Sequence, residues 1–415
     1  MNAVRTLLAA AVVAVAAAFA SAGEEGCGVC HGAERVAFQA SAHRSFDIGC
    51  VTCHGGDPAA VESKAAAHSV AKGFSGKITR QGAVVACGTC HEDVKRMRPF
   101  GLRTDALAAY RTSHHGKALF DKNDADAATC IDCHGVHDVR RVKDPASPSF
   151  RTNVPATCGK CHGDTALMKR HGIETHAVTD YEQSVHGQRL ARGETGVPTC
   201  ADCHDAHAAT PPGAMEVADV CGMCHREPRD RFRESPHFAA SQRGSMRQCV
   251  TCHGNHAVLH PNYALFDDAA ESLPEDRGGT RCLSCHDPSK KEDRGAQTAL
   301  AFGDGLRRAE AELRQAALRV DAVEMDGFHV DDEREALDRA RRELVRVVPL
   351  THTVDRAQVD VVLHRVHSLV AEALEGCEGI VREERDRRIF GSVGGVVLLG
   401  IAGVLGLRRR IARKS

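Results

Sequence analysis

The 415-residue chain has no tryptophan, 3 tyrosines and 4% aromatic residues in all. A chain of this length ordinarily fills two or three domain cores with large apolar side chains. Those side chains are scarce here, so something else is expected to occupy much of the interior. Net charge is also nearly absent, with 54 Lys+Arg against 55 Asp+Glu. No basic cluster occurs outside the extreme C-terminus, which argues against a nucleic-acid partner. Composition likewise excludes collagen-like, purely coiled-coil and wholly disordered chains. What is plentiful is cysteine, at 19 residues, and histidine, at 25.

Eighteen of the cysteines fall into nine C-x-x-C pairs, each followed directly by histidine: Cys27/Cys30/His31, Cys50/Cys53/His54, Cys87/Cys90/His91, Cys130/Cys133/His134, Cys158/Cys161/His162, Cys200/Cys203/His204, Cys221/Cys224/His225, Cys249/Cys252/His253 and Cys282/Cys285/His286. C-x-x-C-H is the attachment signature of c-type haem. The two thiols add across the porphyrin vinyl groups, and the adjacent histidine reaches the iron. Zinc ribbons do not require the histidine nine times, thioredoxin-like sites carry one motif, and a disulfide framework would not impose this regularity. Nine covalently bound haem c groups, each with its iron, are therefore expected. They would form much of the core between short motif-bearing helices and loops.

A second pattern, aromatic-x-x-Ser-x-His, recurs at Phe38/Ser41/His43, Tyr110/Ser113/His115, Tyr181/Ser184/His186 and Phe232/Ser235/His237. Two C-x-x-C-H motifs follow each copy, so one leading site precedes four two-haem repeats, at about 38–91, 110–162, 181–225 and 232–286. Three repeats carry another histidine three residues past their first motif: His137, His207 and His256. The first repeat has His68 instead. Two non-motif histidines per two motifs is what bis-histidine ligation requires. His137, His207 and His256 lie too close in sequence to their neighbouring motif to reach the opposite side of its iron, so they are expected to serve a different one. Candidates for the ninth distal ligand are His171, His176, His260, His329, His352, His364 and His367. His352 is favoured because it follows Pro349, where a helix end could face the haem array. His114 reads as a neighbour of His115, without a ligand role.

The termini set the compartment. Leu7–Ala20 is a 14-residue apolar run behind Arg5, and Ala20-Ser21-Ala22 offers a signal-peptidase site, so residues 1–22 read as an export signal. Ile389–Leu407 has 19 residues without a charge, enough to cross about 30 Å of hydrocarbon as a helix. Arg408, Arg409, Arg410, Arg413 and Lys414 follow in a cytoplasmic basic tail, 408–415. Small-xxx-small spacing occurs at Gly391/Gly395 and Ala402/Gly406. With Arg5 and the five tail residues set aside, 48 basic residues face 55 acidic ones, about −7 for the exported body.

Between the haem region (23–295) and the span (389–407), residues 296–388 show helical periodicity. Leu306, Leu313 and Val320 alternate with Ala309, Ala316 and Val323 in a narrow seam. Leu337, Ala340, Leu344 and Val347 end at Pro349, and Val359, Val362, Val366 and Leu369 run on toward the membrane. A helical hairpin or three-helix unit packing on the haem region is one reading, and a homo-oligomerising coiled coil is the other. Cys377, outside every motif, reads as a small packing residue. The fold class is mainly α and irregular, with little β.

These motifs resemble multihaem c-type cytochromes of the cytochrome c3-like, doubled C-x-x-C-H type, in particular the membrane-associated respiratory members. The resemblance is strongest over 27–286. It implies electron transfer between an integral-membrane quinol-oxidising or other respiratory subunit and periplasmic redox proteins, from the cytoplasmic (inner) membrane, with no catalytic residue. The small tetrahaem quinol dehydrogenases carry their anchor at the N-terminus, whereas this chain carries its span at the C-terminus. The alternative is a reductase or oxidase of nitrite, hydroxylamine or a sulfur oxyanion with one open-coordinate haem, at His31 or His286. No Cys-x-x-Cys-Lys motif occurs, which removes one catalytic signature.

Overall fold

The computed structural model describes residues 26–46, 48–213, 216–258, 263–266 and 281–412. The export signal at 1–22, His260, Arg413 and Lys414 lie outside them. The chain divides into two compact units, residues 1–213 with 256–260, and 214–255 with 261–415. Among the described residues there are helices, 3-10 turns and irregular segments, and no strand.

Several motif-bearing segments are short helices whose ends the motif itself builds. Cys130–His134 and Cys200–His204 start behind Thr129 and Thr199. In the first, the Asp132 carboxylate accepts from the Thr129 backbone amide at 2.6 Å and from its hydroxyl at 2.8 Å. Asp202 repeats both bonds with Thr199 at the same distances. A carboxylate in the first turn satisfies amides that have no intrahelical partner and complements the helix dipole. Five-residue helices are too short to persist alone in water, so tertiary contacts hold them.

Arginine supplies two of those contacts. Arg80 Nη2 donates to the Ala127 carbonyl at 2.6 Å and to Asp132 at 2.7 Å. Arg151 Nη2 bonds the Val197 carbonyl at 2.6 Å and pairs with Asp202 at 3.0 Å. Each arginine stands seven residues before the first cysteine of one motif and grips the next motif along the chain. The last repeat uses a different device, in which the buried Gln248 accepts from the Ala218 amide at 2.7 Å.

Within the second unit, three long helices form a bundle: α1 (Arg294–Met325), α2 (Asp331–Leu350) and α3 (Arg356–Ala412). Gly327, at φ +90°, breaks the chain after α1. The core contains Leu306, Ala309, Leu313, Ala316, Val320 and Val323 from α1, and Leu337, Ala340 and Val347 from α2. The seam read as a possible oligomer interface is thus covered within one chain. On α3 the fully buried stripe is Val359, Leu363, Val366, Val370, Ala373 and Cys377, with Val362 and Leu369 only partly buried. The stripe is shifted from the expected one because α3 packs against both other helices, so its buried face is broader than a two-helix seam. Glu312 of α1 meets His367 at 2.5 Å, and Arg339 of α2 meets Glu372 at 2.6 Å. α1 therefore runs parallel to α3 and α2 antiparallel to it.

α3 continues without a break into the apolar segment. It is the one helix among the described residues that is long and apolar enough to cross a membrane, and its apolar window is unburied. At about 1.5 Å per residue, the 19 residues of the span cover about 28 Å.

Leu337→Ala should cost about 2–5 kcal/mol, because a well-packed core side chain is lost and a cavity left. Leu318→Ala, at a position 65% exposed, should stay within about 0.5 kcal/mol. Denaturant unfolding of both variants followed by far-ultraviolet circular dichroism checks the pair, and equal effects would mean that the bundle is not packed as described.

Candidate metal centres

The repeated serine explains the second sequence pattern. Ser113 and Ser184 are fully buried, and Ser41 and Ser235 nearly so. Ser113 Oγ donates to the Tyr110 carbonyl at 2.6 Å and accepts from the Gly116 amide at 2.9 Å. Ser184 makes the same pair of bonds with Tyr181 and Gly187, at 2.6 and 3.0 Å. Serine thus ends one helix and caps the next, which fixes the histidine two positions later in a first helical turn. The tyrosine ring reaches on: Tyr110 Oη donates to the Ala128 carbonyl and Tyr181 Oη to the Pro198 carbonyl, each at 2.7 Å. Each acceptor lies two residues before a motif cysteine, so one short pattern ties a histidine-bearing helix to a C-x-x-C-H helix.

Sequence reasoning missed the glycine after that histidine in the two middle repeats. A Cβ on Gly116 or Gly187 would stand 2.0 Å from the Tyr110 or Tyr181 carbonyl oxygen, a contact no side chain tolerates. The dipeptide His-Gly was the available signal.

The histidine rings meet in pairs. Ring centroids lie 6.1 Å apart for His31–His68, 6.1 Å for His43–His91 and 6.3 Å for His54–His137. The separations are 6.1 Å for His115–His162, 6.2 Å for His134–His207 and 5.9 Å for His204–His256. They are 6.1 Å for His237–His286 and 6.0 Å for His253–His352. A metal–imidazole bond is about 2.0–2.1 Å. Two such bonds in line, with half of each ring behind them, separate ring centres by about 6 Å. The rings are too far apart for direct stacking and are spaced as one iron between them requires, so the residues fit the group that the motifs imply.

The pairing follows a rule. The second motif of a repeat faces the aromatic-x-x-Ser-x-His histidine of the same repeat, as in His43–His91, His115–His162 and His237–His286. The first motif faces the loop histidine of the following repeat, as in His54–His137, His134–His207 and His204–His256. Backbone bonds carry that exchange: the amides of Ala42, His114 and Val185 donate to the carbonyls of Val139, Ala209 and Val258, each two residues past a loop histidine. At the N-terminal end His68 faces the leading motif. At the other end no fifth repeat exists to face His253, and the turn between α2 and α3 brings His352 there instead. In that turn His352 Nδ1 contacts the Pro349 carbonyl at 3.1 Å, which leaves Nε2 for a metal. In the sequence of the third repeat, His186 and His225 are the corresponding residues.

Of the other described candidates for a ninth ligand, two lie against carboxylates and the other three are exposed. His171 lies against Asp124 and Asp126, where Arg170 also pairs with Asp126 at 2.9 Å. His176, His329 and His364 are exposed, and His367 binds Glu312.

Polypeptide does not enclose all of the attachment residues. The second cysteine is exposed in six motifs, at Cys30, Cys53, Cys133, Cys203, Cys224 and Cys285, whereas the first cysteine of every motif is half-buried. His31 and His225 are exposed as well, and His137 is half-buried. Helix length explains much of the difference. Cys53, Cys133, Cys203 and Cys285 sit on helices of four or five residues, Cys50–His54, Cys130–His134, Cys200–His204 and Cys282–Cys285. Such a helix offers too little surface to pack protein around both of its thiols. Cys30 and Cys224 lie in turns at the ends of their helical segments, where few neighbours reach them. Where the motif instead closes a longer helix, Arg80–His91 or Val154–His162, the second thiol, Cys90 or Cys161, is half-buried.

For the more enclosed histidines, burial favours the protonation state a metal requires. His253 is pushed down to about 4, by burial first and then by His352. His91, His134 and His162 are lowered as well, burial leading in each. A neutral imidazole is the ligating form. Among the described residues no motif cysteine is in a disulfide.

The thiols also order the motifs. The Cys87 thiol lies beside that of Cys130, Cys158 beside Cys200, and Cys221 beside Cys249. Cys133 keeps an open side yet has enough protein around it that desolvation raises it to about 11, with Cys158 adding to the shift. Burial raises Cys252 to the same value, with Cys282 and Cys285 beside it. Cys53 is raised by desolvation and then by Cys87 and Cys90. From Cys50 to Cys203 in the first unit, and from Cys221 to Cys285 in the second, motifs consecutive in sequence are therefore neighbours in space.

A family model described as the doubled CXXCH motif matches residues 192–230, which hold the Cys200/Cys203 and Cys221/Cys224 motifs. No curated protein matches the chain, and no solved structure does. The family match supports a multihaem c-type cytochrome-like family, and the motif indicates covalently bound haem c and electron transfer.

Ser113→Ala should lower stability by about 1–2 kcal/mol, because it removes a cap and strands the Gly116 amide and Tyr110 carbonyl in a buried site. Thermal unfolding measures the loss, and an unchanged midpoint would show that the cap does not hold the His115 helix.

Proposed function

We propose that this protein is an exported, membrane-anchored nonahaem c-type cytochrome that carries electrons between a respiratory membrane subunit and redox proteins of the periplasm. The observation that carries the reading is the set of opposed imidazole pairs at about 6 Å. In this reading His31, His54, His91, His134, His162, His204, His225, His253 and His286 are proximal ligands. His43, His68, His115, His137, His186, His207, His237, His256 and His352 are distal ligands. The eighteen motif cysteines hold the macrocycles covalently.

When bound, haem supplies a one-electron ferric–ferrous couple, and bis-histidine ligation leaves it no open position for a substrate. The chain's own part is to keep the enclosed imidazoles neutral by burial, to aim Nε2 through contacts at Nδ1, and to place successive attachment sites side by side. Opposed rings at His31 and His286, where an open site was the alternative, favour the carrier over a reductase of nitrite, hydroxylamine or a sulfur oxyanion.

α3 anchors the protein in the cytoplasmic (inner) membrane, its N-terminal side outward and the basic residues after Leu407 in the cytoplasm. The stalk bears on the partner. The His352 turn sits at the end of α3 farthest from the span, and the 33 residues from Arg356 to Ile389 make about 50 Å of helix. Electron tunnelling decays steeply over such a distance. The donor or acceptor for this end is therefore a protein that itself rises from the membrane, a quinol-oxidising or other respiratory subunit, and not a quinol in the bilayer. With an exported body near −7, acidic before haem propionates are counted, partners with basic faces are favoured.

Electron paramagnetic resonance of the oxidised protein should show low-spin iron alone, unmoved by nitrite or hydroxylamine. His352→Ala should turn one haem in nine high-spin, and an unchanged spectrum would remove His352 from the ligands. In liposomes holding this protein alone, added quinol should leave the haems near the stalk oxidised, and their rapid reduction would sink the partner reading.

A further inference from the structure

The attachment site at Cys282 and Cys285 differs from its neighbours in what stands behind its histidine. His286 Nδ1 lies 3.0 Å from Asp293 Oδ1. For three other motif or distal histidines the Nδ1 contact is to a neutral group: Gly76 O for His54, Ser149 Oγ for His134 and Pro349 O for His352. Asp293 is not a stray surface acid. It caps α1, accepting from the Ala296 amide at 3.0 Å, and it also accepts from the Asp287 amide at 2.9 Å. Three nitrogen atoms, two backbone amides and the His286 Nδ1, converge on one carboxylate.

The seat is shaped as well as charged. A Cβ on Gly295 would stand 2.2 Å from His286 Cε1 and Nδ1, so the first turn of α1 lies directly against the imidazole. On that side the ring has no room to move without displacing the helix.

We propose that Asp293 is a positioning residue that fixes the Nδ1–H tautomer of His286 and lowers the reduction potential of the haem attached at Cys282 and Cys285. A carboxylate cannot donate, so the proton resides on Nδ1 and Nε2 is left for iron. Negative charge at Nδ1 makes Nε2 more basic, and a more basic ligand stabilises ferric over ferrous iron. No proton needs to leave when the electron arrives. The stalk is thus joined to the last site of the motif series through the ligand itself.

The inference rests on the haem reading above. It is tested on the full-length, haem-loaded protein by spectroelectrochemical titration together with electron paramagnetic resonance. Asp293→Asn should move one of nine midpoint components upward and shift one set of low-spin g-values, while Asp293→Glu restores both. Asp293→Ser keeps a capping oxygen for α1 and loses the charge, so it should give the same upward shift with the stalk's thermal stability retained. Nine unshifted midpoints in the Asn and Ser variants would overturn the proposal. Fewer than nine haems by intact mass in the unmodified protein would instead overturn the reading beneath it.

Discussion

An iron held between two imidazoles demands two rings about 6 Å apart, on opposite sides and with both Nε2 atoms inward. Most of the described architecture answers that demand. One ring of each pair is placed cheaply, by its adjacency to a cysteine pair on a short helix. The other must arrive from elsewhere in the chain, and its arrival organises the repeats. The serine caps, the tyrosine hydroxyls, the arginine clamps and the loop–helix backbone bonds all join a segment that bears one ring to a segment that bears another.

The exchange between consecutive repeats has a consequence at the ends of the array. A first motif that borrows its opposing histidine from the next repeat cannot be completed in the last repeat. The turn between α2 and α3 fills that place with His352, and a hydrogen bond to the Pro349 carbonyl orients the ring. Repeat arrays commonly have atypical terminal units, and here the terminal unit is a helical bundle that also carries the candidate membrane span. Its core is ordinary leucine, valine and alanine packing, in contrast to the motif region, where large apolar side chains are few and many second cysteines stand open.

Under the proposed ligation, the bundle joins two neighbouring sites by different means. His352 lies in its loop, and Asp293 at the head of α1 stands behind His286. Anchoring, spacing from the bilayer and tuning of the last site then fall to one structural element. A rigid stalk suits all three, because both groups sit at helix ends whose positions the bundle core determines.

Much of this was legible in the residues. The nine motifs, the serine–histidine repeat, the displaced role of His137, His207 and His256, the helical seams and the apolar C-terminal run are patterns of identity and spacing, which local chemistry imposes directly. Other features lay beyond such reading. Which ring faces which depends on backbone bonds between residues about a hundred positions apart, such as Ala42 and Val139. His352 had six rivals in the sequence, and only the fold of α2 onto α3 brings it opposite His253. The unequal cover over the two thiols of a motif depends on how long a helix the motif closes, which the C-x-x-C-H spacing does not encode. The buried stripe on α3 departed from the simple seam because two helices, not one, pack there. Attachment chemistry is local, so sequence determined it; pairing and order depend on closure of long loops and on packing, so tertiary structure decided them.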